Sequence, residues 1–227
     1  MKCLIVKELS GMQNVKFLYG DLIEYLSARP GGFDAIFCSG VMYHMTDPES
    51  FYNREDLWDI AKRTGAPVVA IVEVANELGE QGLENVFDPN LGGTVEFDWG
   101  WVRLVPAWHT GTTPNGTAHT PAGLVISLGG SIVYHLGDTA LFSDIRLPGE
   151  RDSLDVALVP IGGHYTMDRQ DAVIACEWIG ARVVIPCHYD TFPPIETDAE
   201  AFKSEVEERT GGKTTVELLE PGGTFSP

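Results

Sequence analysis

The clearest structural pattern in the chain is Ser131-Ile132-Val133-Tyr134-His135-Leu136-Gly137-Asp138-Thr139-Ala140. Its first half has the β-branched and aromatic content of a buried strand, and the Gly129-Gly130 pair before it is typical of a hairpin turn. The carboxylate of Asp138 comes directly after that strand. Because a sheet fixes the backbone while the following loop aims a side chain, this placement predicts a ligand or catalytic group at Asp138.

Two other segments repeat this arrangement of an apolar strand followed at once by a metal-binding side chain. One is Val105-Pro106-Ala107-Trp108-His109, and the other is Val184-Ile185-Pro186-Cys187-His188. A lone histidine is more often a satisfied polar residue than a ligand, but three such placements together are hard to explain by packing. Two imidazoles and one carboxylate suit zinc or a similar divalent ion, so His109, Asp138 and His188 are the predicted metal ligands.

A fourth segment, Pro160-Ile161-Gly162-Gly163-His164, ends in a histidine with a different predicted role. Its glycines let the backbone approach a ligand closely, so we expect His164 to contact substrate or to stabilise an oxyanion. The predicted catalytic residues are therefore His164 and Asp138.

Three further side chains have weaker signals. The alternation along the strand predicts that His135 either orients Asp138 or is a buried hydrogen-bonding group. His119 is predicted to be an exposed loop residue, with a role in a substrate loop left open. Cys187 precedes His188 on a strand and so points to the opposite face, which predicts packing rather than metal binding.

The composition is that of a globular protein and excludes several classes of partner. The 227 residues are 44% hydrophobic, and 33 acidic against 15 basic residues give a net charge of −18, which repels nucleic acids and anionic membranes. No apolar stretch approaches the roughly 20 residues of a membrane span, and no signal peptide is evident, so we expect a cytoplasmic protein. Its four scattered cysteines predict reduced thiols. The expected partner is a small-molecule substrate, and a homo-oligomer is left open.

Helix and strand patterns alternate at short spacing from residue 56 onward, which is typical of a layered α/β domain. The segment before residue 56 predicts strands at 15–19 and 34–38 with a helix at 21–26 between them, which would form a βαβ unit. The later predicted strands are 67–72, 94–97, 102–106, 123–127, 131–135, 155–160 and 182–186, and the later predicted helices are 56–64, 73–79, 168–179 and 197–209.

Motifs spread from Ile60 to Gly223 resemble one known family. They include Pro106-Ala107-Trp108-His109, Tyr134-His135-Leu136-Gly137-Asp138-Thr139, Ile161-Gly162-Gly163-His164 and His188-Tyr189-Asp190-Thr191-Phe192-Pro193-Pro194. The family is that of uncharacterised bacterial and archaeal metal-dependent hydrolases of the metallo-β-lactamase superfamily, related to ascorbate-6-phosphate lactonase and to a phospholipase D that hydrolyses N-acylphosphatidylethanolamine.

This resemblance implies an αββα sandwich with a dinuclear metal site. His109 would bind one metal, Asp138 would bridge both, and His188 would bind the other, with His164 near the substrate. Zinc is the metal expected first, with manganese, nickel or iron as alternatives. The family's HxHxDH motif, which supplies most ligands of the first metal, is absent from this sequence. Only His44 and Asp47 stand in its place, and their spacing cannot supply four ligands, so we expect an incomplete dinuclear site.

The first 52 residues resemble a fragment of a class I S-adenosylmethionine-dependent methyltransferase. The stretch from Phe33 to Pro48 looks like that family's fourth strand and the following loop, and Gly20-Asp21 looks like the preceding acidic turn. The glycine-rich loop that would hold the cofactor is missing. The resemblance implies two parts, a methyltransferase-like fragment over 1–52 and a hydrolase domain over 53–227, joined in a chimeric or rearranged gene or by a misassembled reading frame.

Three functional hypotheses follow. The first is a hydrolase that uses metal-activated water on an ester, lactone, amide or phosphodiester. The second is a non-catalytic remnant or chimera that binds metal weakly or not at all. The third is a methyltransferase.

Overall fold

The computed structural model describes residues 61–113, 115–220 and 223–227, together with the backbone of three earlier strands, β1 (Cys3–Val6), β2 (Lys16–Tyr19) and β3 (Ile36–Phe37). The predicted helix at 21–26, most of the helix at 56–64, and the candidates His44 and Asp47 lie outside the described residues.

The later elements begin with two short strands on either side of a helix. The strands are β4 (Val68–Val69), β5 (Val86–Phe87), β6 (Thr94–Phe97), β7 (Gly100–Pro106), β8 (Gly111–Thr112), β9 (Ala118–His119), β10 (Ala122–Leu128), β11 (Ser131–His135), β12 (Val156–Pro160), β13 (Val183–Cys187), β14 (Thr215–Val216) and β15 (Thr224–Phe225). The helices are α1 (Val72–Glu80), α2 (Leu147–Arg151), α3 (Arg169–Ile179) and α4 (Ala199–Arg209), with 3₁₀ turns at Ser143–Arg146 and Pro193–Ile195.

A seven-stranded sheet forms the centre of the fold, in the order β14-β13-β12-β11-β10-β7-β6. Strands β11 to β14 pair in parallel, whereas β10 is antiparallel to both β11 and β7. Consequently β7 runs in the same direction as β11, β12 and β13. The carboxyl ends of these four strands meet at one edge of the sheet, where the candidate residues follow them.

The two faces of this sheet pack against different layers, as the alternation of side chains along a strand requires. On β11, Tyr134 belongs to a core shared with α3 and α4, and Val133 belongs to a core shared with β4 and α1. A smaller cluster that includes Val68 and Leu78 packs α1 on β4 and β5. The order of layers is therefore helix, sheet, sheet, helix, which confirms the predicted αββα sandwich.

Most of the predicted strands and helices after residue 90 are present, with ends shifted by one or two residues. The predicted strand at 67–72 is too long, because only Val68–Val69 is extended in a sheet and α1 begins at Val72. The predicted βαβ unit is wrong in its pairing: β2 pairs antiparallel with β1 and β15, whereas β3 pairs in parallel with β4. The two strands therefore lie in different sheets.

Candidate active site

Asp138 and His188 are the two predicted ligands that the structure brings together. Their Oδ2 and Nε2 atoms are 3.9 Å apart, and both side chains are nearly inaccessible, at 8% and 1% exposure. Two donors that each bond a zinc ion at about 2.1 Å in tetrahedral geometry are about 3.4 Å apart. The Asp138–His188 separation is about 0.5 Å wider than this, so the pair is near the spacing of two ligands of one divalent ion.

His109 lies on the loop after β7 and is half-buried. Its Nδ1 atom is 2.8 Å from the carbonyl oxygen of Thr110. Since a carbonyl only accepts hydrogen bonds, Nδ1 is the donor in this contact, and Nε2 is the ring nitrogen left for another partner. Histidines that bind metal commonly donate their other ring N–H to a backbone carbonyl in this way.

The structure does not gather all three predicted ligands into one cluster. Across the segments that the structure describes, no three His, Cys, Asp or Glu side chains are grouped closely enough to hold a metal ion. The assignment of His109, Asp138 and His188 as a ligand set therefore stays a prediction, of which the Asp138–His188 pair is the part with direct geometric support.

His164 is exposed on the loop after β12, and its ring contacts Tyr165 edge-on with centroids 4.4 Å apart. Three non-glycine residues at this edge adopt the left-handed backbone conformation: His164 and His188 each have φ 55° and Asp190 has φ 56°. This conformation is uncommon for side chains other than glycine and tends to cluster at functional sites, where the surrounding structure maintains it.

Gly162 sets the close approach between the loops after β12 and β13. A Cβ atom at this position would lie 2.2 Å from the carbonyl oxygen of His188 and 2.8 Å from the Cβ of Ile195. The adjacent Ile161 N–H donates to the carbonyl of Cys187 at 3.1 Å. The position of His188 therefore depends on the absence of a side chain at residue 162.

Thr139 connects three of the loops at the site and was missed as a functional residue in the sequence. Its hydroxyl accepts a hydrogen bond from the backbone N–H of Trp108 at 2.9 Å, and its carbonyl accepts one from Met167 N–H at 3.0 Å. Ala140 N–H donates in turn to the carbonyl of Trp108 at 3.0 Å. Thr139 is only 1% exposed, so its hydroxyl is buried. Its position directly after Asp138 in the motif is the one feature of the sequence that could have indicated a functional role.

His135 is a buried hydrogen-bonding group, as one of its two predicted roles required. It is 7% exposed, and its Nδ1 accepts a hydrogen bond from Gly137 N–H at 3.0 Å, next to Asp138. Burial lowers the pKa of His135 from 6.5 to about 4, against the opposing attraction of the Asp138 carboxylate. The ring is therefore neutral at physiological pH.

The other two sequence predictions differ in outcome. Cys187 is 1% exposed and packs in the core between the two sheets, which confirms its structural role. The prediction that His119 lies in an exposed loop is wrong, because it belongs to β9 and its ring covers Gly111 across the β8–β9 hairpin.

Among the described residues, no helix is both long and apolar enough to cross a bilayer.

Comparison with known proteins identifies the group to which this sequence is similar. The profile of the family described as "Beta-lactamase superfamily domain" matches residues 56–188. The chain is 44% identical over 172 residues to a UPF0173 metal-dependent hydrolase of Shouchella clausii, which covers 73% of each chain. It is 45% identical over 174 residues to a UPF0173 metal-dependent hydrolase of Methanopyrus kandleri, which covers 75% of each chain.

Solved structures show the same fold. The metallo hydrolase Igni18 of Ignicoccus hospitalis superposes with a TM-score of 0.75 at 30% identity, over 98% of this chain and 97% of that one. The metallo-β-lactamase fold protein YhfI of Bacillus subtilis gives a TM-score of 0.64 at 11% identity, over 98% and 95%. None of these proteins supports the methyltransferase resemblance of the first 52 residues, and the division at residue 52 stays a prediction. From this similarity in sequence and fold, the chain belongs to the UPF0173 metal-dependent hydrolases of the metallo-β-lactamase superfamily.

Proposed function

We propose that this protein hydrolyses a small-molecule ester, lactone, amide or phosphodiester with the help of a divalent metal, zinc being the first candidate. The observation that carries the proposal is the buried Asp138–His188 pair, whose donor atoms are 3.9 Å apart at the edge where four strands end. Burial of a carboxylate beside an imidazole nitrogen is unfavourable in an apolar core and is typical of a ligand or catalytic site.

In this proposal Asp138, His188 and His109 hold the ion. When bound, a divalent ion polarises the scissile group and lowers the pKa of water towards about 7. Asp138 also orients the attacking water by accepting a hydrogen bond from it. His164, exposed at the same edge, donates a hydrogen bond to the oxygen that gains negative charge as the substrate reacts.

The test combines elemental analysis with turnover. Purified protein is loaded with Zn²⁺ or Mn²⁺, dialysed, and measured for bound metal and for hydrolysis of p-nitrophenyl acetate and bis-p-nitrophenyl phosphate. We expect retained metal and metal-dependent hydrolysis of at least one substrate, and loss of both in His188→Ala. Glu177→Gln, an exposed residue of α3 paired with Arg209, is the matched control that should behave as wild type. Folded protein that retains no metal would refute the proposal.

The alternative is a remnant that folds but does not catalyse. It is favoured by the lack of a three-ligand group among the described residues and by the missing HxHxDH motif. In a remnant, His188→Ala would change the free energy of unfolding without changing any turnover. The two functions are thus separated by measuring activity and stability on the same variant.

A further inference from the structure

Aromatic side chains accompany the candidate residues at the site edge. Trp108 precedes His109 and is 68% exposed, and Tyr165 follows His164 and is 46% exposed. Burial of such large apolar side chains is favourable, so their exposure beside a candidate active site suggests a surface that a ligand covers.

Each of the two exposed aromatic residues contacts a second aromatic ring. Trp108 lies 6.5 Å from the ring of Phe142, which follows Asp138 on its loop. Tyr165 lies 6.0 Å from the ring of Phe192, which follows His188 on its loop. The rings of Phe142 and Phe192 are both half-buried. We call these four residues the aromatic rim.

The aromatic rim is also held in place by the backbone. The Thr139 hydroxyl accepts from Trp108 N–H at 2.9 Å, and the Thr139 carbonyl accepts from Met167 N–H at 3.0 Å, two residues beyond Tyr165. The loops that carry Trp108 and Tyr165 are therefore connected through a single buried residue. A pre-ordered surface of this kind binds a ligand with little loss of conformational freedom.

The charges on the same loops disfavour an anionic substrate. The segments 106–113, 136–142, 161–168 and 188–197 contain no lysine or arginine, while they contain Asp138, Asp168, Asp190 and Glu196. Two of these carboxylates cap backbone N–H groups, Asp168 that of Asp171 and Asp190 that of Thr197. Arginine and lysine often recognise phosphate groups in proteins, and these loops supply neither, so a bound metal ion would be the one positive charge at these loops that could meet a phosphate.

We infer that the substrate is an uncharged carbonyl compound, an ester, lactone or amide, with an aromatic or branched apolar group that packs against Trp108 and Tyr165. This inference rests on the proposed hydrolase function and narrows it by excluding phosphodiesters. Trp108 and Tyr165 are then specificity-determining residues that contact the apolar part of the substrate.

The inference is tested by measuring steady-state kinetics on a series of substrates that all release p-nitrophenol. The metal-loaded enzyme is assayed with p-nitrophenyl acetate, butyrate and phenylacetate, and with bis-p-nitrophenyl phosphate. For wild type, kcat/KM should rise from the acetyl to the phenylacetyl ester and be lowest for the phosphodiester. In Trp108→Ala and Tyr165→Ala this rise should shrink by about fivefold to tenfold, mainly through a higher KM for the larger esters. Trp178→Ala, a 40% exposed tryptophan on α3, is the matched control and should keep the wild-type preference.

A binding measurement separates failure of the inference from failure of the chemistry. 1-Phenylbutan-2-one, an uncharged ketone that cannot be hydrolysed, should bind metal-loaded wild type about tenfold more tightly than it binds Trp108→Ala. If no substrate is turned over but this difference is present, the hydrolase proposal fails and the apolar site stands. A preference for the phosphodiester, or equal ketone binding by wild type and Trp108→Ala, would overturn the inference even in an active enzyme.

Discussion

Replacement of Gly162 by alanine tests whether the contact between the loops after β12 and β13 positions His188. The added Cβ would lie 2.2 Å from the His188 carbonyl oxygen, whereas ordinary contact begins near 3.4 Å, so the backbone must move by about 1.2 Å. The φ of Gly162 is open to alanine, so steric overlap is the only new term. The hydrogen bond from Asp190 N–H to Ile195 O, at 3.0 Å, ties the rest of that loop to the same movement.

The expected effect on activity is large relative to the effect on folding. A displacement of about 1 Å in a catalytic or ligating group lowers turnover by roughly 100-fold, while overpacking by one methyl group destabilises a protein by about 1–3 kcal/mol. We therefore expect Gly162→Ala to remain folded, to bind Zn²⁺ more weakly in competition with a chelator, and to lose about two orders of magnitude in kcat/KM on its best ester.

The matched control is Gly79→Ala on α1, where an added Cβ meets no atom within 4 Å. That variant should keep full activity and gain about 0.5–1 kcal/mol in the free energy of unfolding, because alanine favours helix. A folded Gly162→Ala protein with wild-type zinc affinity and wild-type kcat/KM would show that His188 is not positioned by this contact.

Three other predictions follow from buried or closely packed groups. Thr139→Val should destabilise the protein by about 1–3 kcal/mol and also reduce metal affinity and turnover, because Trp108 N–H loses its acceptor. Thr139→Ser should restore stability, metal affinity and turnover, whereas Thr214→Val, which removes a buried hydroxyl bonded to Ala181 O at 2.8 Å, should lower stability alone. The pKa of His135 is near 4 in the folded protein and 6.5 in the unfolded chain, so its contribution to the free energy of unfolding is complete above pH 6.5 and is lost as the pH falls towards 4. In His135→Asn, the free energy of unfolding measured by urea titration should therefore vary by about 3 kcal/mol less over this pH range than in wild type. Gly149→Ala should destabilise the helical layer, since its Cβ would meet the Ile179 carbonyl at 1.9 Å, and a thermal midpoint equal to that of wild type would contradict this packing.

The central strands and the loops that follow them could be predicted because their signals are local. Thr94–Phe97 and Ser131–His135 have the predicted bounds, and Gly129 and Gly130 both adopt the positive φ that their hairpin requires. Placing Asp138 and His188 after strands was sufficient to expect them at one sheet edge. That edge exists because β7, β11, β12 and β13 run in the same direction.

The remaining features depend on tertiary contacts that leave no pattern in the sequence. The left-handed backbone of His164, His188 and Asp190 is imposed by the packed loops and opposes the intrinsic preference of those residues. The role of the Thr139 hydroxyl depends on Trp108 N–H, which lies 31 residues away in the sequence. Strands of two residues, such as β14 and β15, are too short for alternation to be detected.

The pairing of β15 with β2 has a consequence for the order in which the chain folds. Phe225 lies opposite Phe17 and Thr224 opposite Leu18, so this small sheet joins segments from opposite ends of the described chain. Contacts between residues so far apart in the sequence form slowly, because closing the long loop between them costs conformational entropy. The sandwich must therefore be largely folded before β15 can pair with β2. On unfolding, the backbone amides of β1 and β2 should be the first to lose their protection against hydrogen exchange.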